Sequence, residues 1–152
     1  MDNFSEYFTF KELTDSTSHP EMVAQNRLDA KQYLLAGKRL SKLLESIRHI
    51  LGDTPLKVNS GFRNARLNKA VGSKSTASKH TIFEAVDITP QNMSIKEAFG
   101  ALMNAHRGGL LPDLRKVLYE GSWLHVEVSM NVGDHRGFFT SNDGNKTFVK
   151  VA

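Results

Sequence analysis

An α+β fold, a small antiparallel sheet flanked by helices, is what this sequence predicts, and three observations predict it. One long segment, Asp29 to Leu51, carries apolar residues at helical spacing. Several short segments alternate apolar and polar residues as half-buried strands do. The helices precede and interrupt those strands, which is the α+β pattern.

In chain order, Phe8 to Thr14 reads as a short turn of helix, followed by a polar loop through His19 and Pro20. The long helix places Leu34, Leu35, Leu40, Leu43, Leu44, Ile47, Ile50 and Leu51 at three- and four-residue intervals. Gly52 and Asp53 close it, and Pro55 prevents re-entry. Leu56 to Asn59 is a short strand, Ser60 to Asn64 a turn, and Ala65 to Ala70 a short helix. Val71 to Ser78 is a polar loop, and Ala85 to Ile88 a strand stopped by Pro90. Ser94 caps a helix from Ile95 to about Ala105, with Glu97 at the capping-box position. Lys116 to Tyr119, Trp123 to Val128 and Thr147 to Val151 complete the strands.

The 152 residues suffice for a single domain, with 39% apolar and 24% charged residues, which excludes a fully disordered chain. A net charge of +4 is too mild and scattered to announce a nucleic-acid binder and suits any polyanionic partner. Without cysteine, there can be no disulfide scaffold, cysteine nucleophile or thiolate zinc site, so any metal must be held by His, Asp or Glu. No stretch reads as a secretory leader or a membrane span. The expectation is therefore a monomer made in the cytoplasm without a signal peptide, with no membrane or nucleic-acid partner.

Strand parity points to chemistry. In Trp123 to Val128, Leu124, Val126 and Val128 share one face, leaving Trp123, His125 and Glu127 on the other. In Ala85 to Ile88, Val86 and Ile88 turn inward and Asp87 opposes them; upstream, Ser78 and His80 share parity. Two histidines and an aspartate on neighbouring strands make a three-ligand set suited to zinc, with a fourth position open for water. Zinc lowers the pKa of water it holds to about 7 and polarises a carbonyl, so amide hydrolysis follows. The competing reading is ordinary: a lone histidine is more often a surface or hydrogen-bonded residue.

At these residues the chain resembles a family. Ser78-Lys-His80-Thr-Ile-Phe83-Glu-Ala-Val-Asp87 is similar to the first zinc signature of the D-Ala-D-Ala metallopeptidases and related phage cell-wall endopeptidases, Ser-x-His-x-x-Gly-x-Ala-x-Asp. Trp123-Leu-His125 resembles their second signature, and Val58-Asn-Ser-Gly-Phe-Arg63-Asn resembles the segment carrying their substrate-binding arginine. The resemblance implies a hedgehog/DD-peptidase fold with one zinc per chain in a groove on the sheet, held by His80, Asp87 and His125. It implies that Ser78 supports the ligands and that Arg63 binds a substrate carbonyl or carboxylate. It further implies a general base, an acid or histidine, shortly before the last ligand: Glu120, if a turn at Gly121-Ser122 brings it back, is preferred to Glu127, which supports a ligand instead. Trp123 lines the groove or caps the core. The departure is Phe83 at the signature glycine, which either reshapes the turn or fills part of the groove.

The leading expectation is thus a zinc peptidase cutting peptidoglycan stem peptides, of phage-endolysin type, acting on the wall after release or from a virion. The alternative is a non-catalytic peptidoglycan- or peptide-binding virion module whose chemistry Phe83 has spoiled. A nucleic-acid binder ranks last. His19, His49, His106 and His135 lie outside the motifs and are expected at the surface.

Overall fold

The computed structural model describes residues 3–152. Its helices are α1 (Phe10–Leu13), α2 (Val23–Ala30), α3 (Leu34–Ile50), α4 (Ala65–Ala70) and α5 (Ile95–Arg107). Its strands are β1 (Leu56–Ser60), β2 (Ala85–Pro90), β3 (Leu114–Tyr119), β4 (Leu124–Val128), β5 (Gly137–Thr140) and β6 (Val149–Lys150). They form one six-stranded sheet in the order β1-β2-β4-β3-β5-β6. All pairings are antiparallel except β3 with β5, which is parallel. The α+β class stands.

The helix expected from Asp29 starts later, because a 3-10 turn over Lys31–Tyr33 separates α2 from α3. The sequence pattern hides α2, which buries only Val23, Asn26 and Ala30 and presents no continuous apolar stripe. On α3 the buried stripe is Ala36, Leu40, Leu43, Leu44 and Ile47. Leu35, expected within it, is 70% exposed, because it shares a row with Arg39, Lys42 and Ser46 on the solvent side. Strand β5 is a further element that the sequence reading does not contain.

Helices α3 and α5 pack together and onto one face of the sheet. Ala98, Phe99, Leu102 and Ala105 of α5 join the α3 stripe over Val86, Ile88, Val117, Leu124, Val126 and Val128. Burying each large aliphatic side chain here stabilises the fold by about 1.5–3 kcal/mol. Ser94 caps α5 as expected, its hydroxyl accepting from the Glu97 N–H at 3.0 Å. The alternate residues of β2 and β4 therefore face away from the helices, on the side where the polar groups collect. No helix among the described residues is long and apolar enough to cross a membrane.

Candidate metal centre

Asp87 of β2 and His125 of β4 are direct cross-strand partners. The register that pairs Val86 with Val126 and Ile88 with Leu124 on the core face brings these two side chains together on the other. Asp87 Oδ1 lies 3.0 Å from His125 Nδ1. His80 arrives differently from expectation: it sits on a 3-10 turn, Lys79–Ile82, and not on a strand. Ser78 caps that turn, accepting from the His80 N–H at 3.3 Å, so it holds the histidine through its backbone. The His80 ring is then fixed by an Nδ1–H bond to the Gly61 carbonyl at 2.7 Å. Gly61 has to be glycine, since a Cβ there would fall 2.2 Å from the Leu13 carbonyl oxygen.

Among the described residues, His80, Asp87 and His125 offer ligand atoms that all lie within 4.8 Å of one another. The donor chemistry fits a divalent cation. A carbonyl can only accept, so His80 carries its proton on Nδ1 and turns the Nε2 lone pair toward Asp87 Oδ1, 3.4 Å away. Burial holds the His80 pKa below its ordinary value, outweighing the attraction of Asp87, so no proton fills that gap at neutral pH. Two acceptors facing each other call for a cation between them. The set of two imidazoles and one carboxylate suits zinc.

His125 stands between carboxylates on both sides, with Asp87 at Nδ1 and Glu127 at Nε2, 2.8 Å away. Burial opposes its charge, but the hydrogen bonds its ring N–H groups donate to both carboxylates prevail and raise its pKa to about 9 in the metal-free protein. Burial likewise opposes the charge on Asp87, yet the two histidines keep its carboxyl well below the usual range.

Arg63, Ser78, Glu120 and Trp123 line the same groove, about 450 Å³ in volume, as the three ligand candidates. Glu120 reaches it through the expected turn: Gly121 adopts φ +87°, and the Glu120 N–H donates to the Trp123 carbonyl at 3.1 Å. Burial and the nearby Asp87 charge raise the Glu120 pKa above its ordinary value. Trp123 lies just before β4 and is half-buried against the groove; its Nε1 has no hydrogen-bond partner among the described residues, though it lies close enough to Glu120 to favour that carboxylate's charge. Glu127 is not in the groove wall; Arg115 and His125 occupy its two oxygens.

Phe83 neither reshapes the turn nor fills the groove. It keeps the left-handed backbone expected of glycine, φ +63°, and its ring is fully buried against Phe62 and Phe4. His19 and His106 depart from expectation in being half-buried, the His106 ring against His135 and Phe138. A larger hollow, about 820 Å³, is lined by Tyr33, Phe62, Asn68 and Ile82; none of the three ligand candidates reaches it.

Two residues of the site escape sequence reasoning. Asn26, fully buried on α2, donates to the Thr14 and Phe62 carbonyls and accepts from the Asn64 N–H at 2.7 Å, clamping the turn that presents Arg63. Its only signal is a polar residue on the inward side of a weakly patterned helix. Asn145 lines the groove and donates to the Glu120 carbonyl at 3.3 Å.

The fold and donor set define a small α+β protein with a candidate metal centre. The chain belongs to the Peptidase M15 family, whose model matches residues 6–127. It is 33% identical over 86 residues to the zinc D-Ala-D-Ala carboxypeptidase of Streptomyces albus G. That match covers 57% of this chain and spans 32% of the length of the relative.

Proposed function

We propose that this protein is a zinc-dependent peptidase that hydrolyses peptide bonds in the stem peptides of bacterial peptidoglycan. The observation that carries the reading is the convergence of His80, Asp87 and His125 in a groove that also holds a carboxylate and a guanidinium. The Peptidase M15 match and the D-Ala-D-Ala activity named for the Streptomyces relative support the substrate class.

His80, Asp87 and His125 hold the metal, which when bound supplies a Lewis acid for activating water and polarising a carbonyl. Glu120 is the general base. Its raised pKa brings it closer to the working pH, where a carboxylate can take a proton and return it to the leaving amine. Arg63 orients the substrate by donating to a carbonyl or carboxylate. Burial lowers its pKa, while Asp87 and Glu120 favour its charge. Ser78 and Glu127 hold ligands in place, and Trp123 forms a groove wall.

A lytic role of phage-endolysin type extends this proposal, and the net charge of +4 suits approach to anionic wall polymers. Digestion of purified peptidoglycan by the zinc-loaded protein, read by mass spectrometry, tests the whole reading. Free D-alanine identifies a carboxypeptidase, and split cross-links identify an endopeptidase. Intact peptides after incubation with fully metallated protein would transfer the reading to a wall-binding module.

A further inference from the structure

Arg115 occupies an irregular position in β3. Leu114 pairs with Val128 and Lys116 with Glu127, so Arg115 is an extra residue, a bulge opposite β4. A bulge re-aims a side chain, and here it puts the guanidinium on the Glu127 side of the sheet. Arg115 Nη1 donates to Glu127 Oε1, and Arg115 Nε donates to Asp134 Oδ2 at 2.9 Å. The other Glu127 oxygen holds His125 Nε2 at 2.8 Å. Only 12% of the Arg115 side chain and 7% of the Glu127 side chain are exposed. The run Asp134–Arg115–Glu127–His125 thus leads from the segment after β4 to the ligand set.

We propose that Arg115 is a positioning residue for the metal centre: anchored by Asp134, it clamps Glu127 so that Glu127 fixes the His125 ring with Nδ1 facing the metal position. This rests on the zinc site of the proposed function but not on the substrate. A carboxylate accepting on both oxygens from two nearly buried donors has one orientation, and the ring it holds inherits that orientation. A lone Glu127 could rotate about its side-chain torsions and leave Nε2 unheld. The partner behind the histidine then sets metal affinity, as such partners do by about ten- to a hundredfold.

The test is the zinc dissociation constant of the full chain, measured by competition with a chromophoric chelator, beside the melting temperature of the metal-free form. No substrate is involved, so an error about peptidoglycan leaves the result intact. Arg115→Met should weaken zinc binding about ten- to a hundredfold. Arg115→Lys should lose less, because it retains charge but cannot fork between Glu127 and Asp134. The double variant Arg115→Met/Glu127→Gln should bind no more weakly than Glu127→Gln alone, since both act through one ring. Wild-type affinity in Arg115→Met, or losses that multiply in the double variant, would overturn the proposal. If Arg115→Met does not fold without metal, Asp134→Asn decides. Weaker zinc binding at an unchanged metal-free melting temperature supports the clamp, and unchanged binding refutes it.

Discussion

Phe83 and Gly37 are fitted to each other: a Cβ on Gly37 would lie 2.8 Å from the Phe83 ring. The ring therefore occupies space vacated on α3, on the core side of the turn that carries His80. Phe83→Gly would relieve the left-handed backbone, worth about 1–2 kcal/mol. It would also lose a buried aromatic worth about 3–5 kcal/mol. A net loss of about 1–4 kcal/mol is expected from denaturant unfolding, with peptidase activity within severalfold of wild type well below the melting temperature. A large gain in activity would show that the ring obstructs the groove after all.

The two glutamates should separate cleanly. Glu120→Gln keeps size but removes basicity, so it should retain zinc and lose roughly a hundredfold or more in rate. Glu127→Gln should bind zinc about ten- to a hundredfold more weakly, yet recover substantial activity at saturating zinc. Reversed phenotypes would make Glu127 the base. Metal content and initial rates on one substrate measure both.

Arg63→Ala should keep the fold and the zinc while losing turnover, because Arg63 joins the groove without joining the donor set. Lysine should replace it poorly if contact is bidentate. An alanine variant with full activity would return Arg63 to the role of a turn residue.

The pH response should change sign with metal. In the metal-free protein the His125 pKa stands at about 9, above its ordinary 6.5. A group raised in the folded state stabilises fully below its unfolded pKa, and that contribution is lost as pH rises through 9. Metal-free melting temperature should therefore fall between pH 6.5 and 9. Zinc must displace the Nδ1 proton, so its affinity should rise with pH over the same window, releasing about one proton per zinc near pH 7.5. Buffer-dependent calorimetry counts that proton; zero release would mean that His125 is already neutral.

The site was legible wherever a local period exposes it. Strand parity alone separates His125 from Leu124 and Val126, and Asp87 from Val86 and Ile88. Gly121 announces the turn that returns Glu120. Parity misleads at His80, because a 3-10 turn lacks the two-residue period. Asn26 shows only as a polar residue on the inward side of a weakly patterned helix and Arg115 not at all, since the carbonyls and carboxylates they serve come from distant segments. Strand β5 escapes for the same reason: its pairing with β3 is parallel and spans a connection that no local pattern encodes.

The cross-strand pairing of Asp87 with His125 governs which length changes the chain can absorb. These residues lie 38 positions apart, joined through α5 and β3, and the ladder itself sets their alignment. Insertions between α5 and β3, around Gly108 and Gly109, leave that alignment untouched. A single residue added within Ala85 to Ile88 or Leu124 to Val128 would instead turn one ligand toward the helices and an aliphatic side chain toward the groove. Divergence in length should therefore gather between the strands, while β2 and β4 themselves admit substitution but not a change of count.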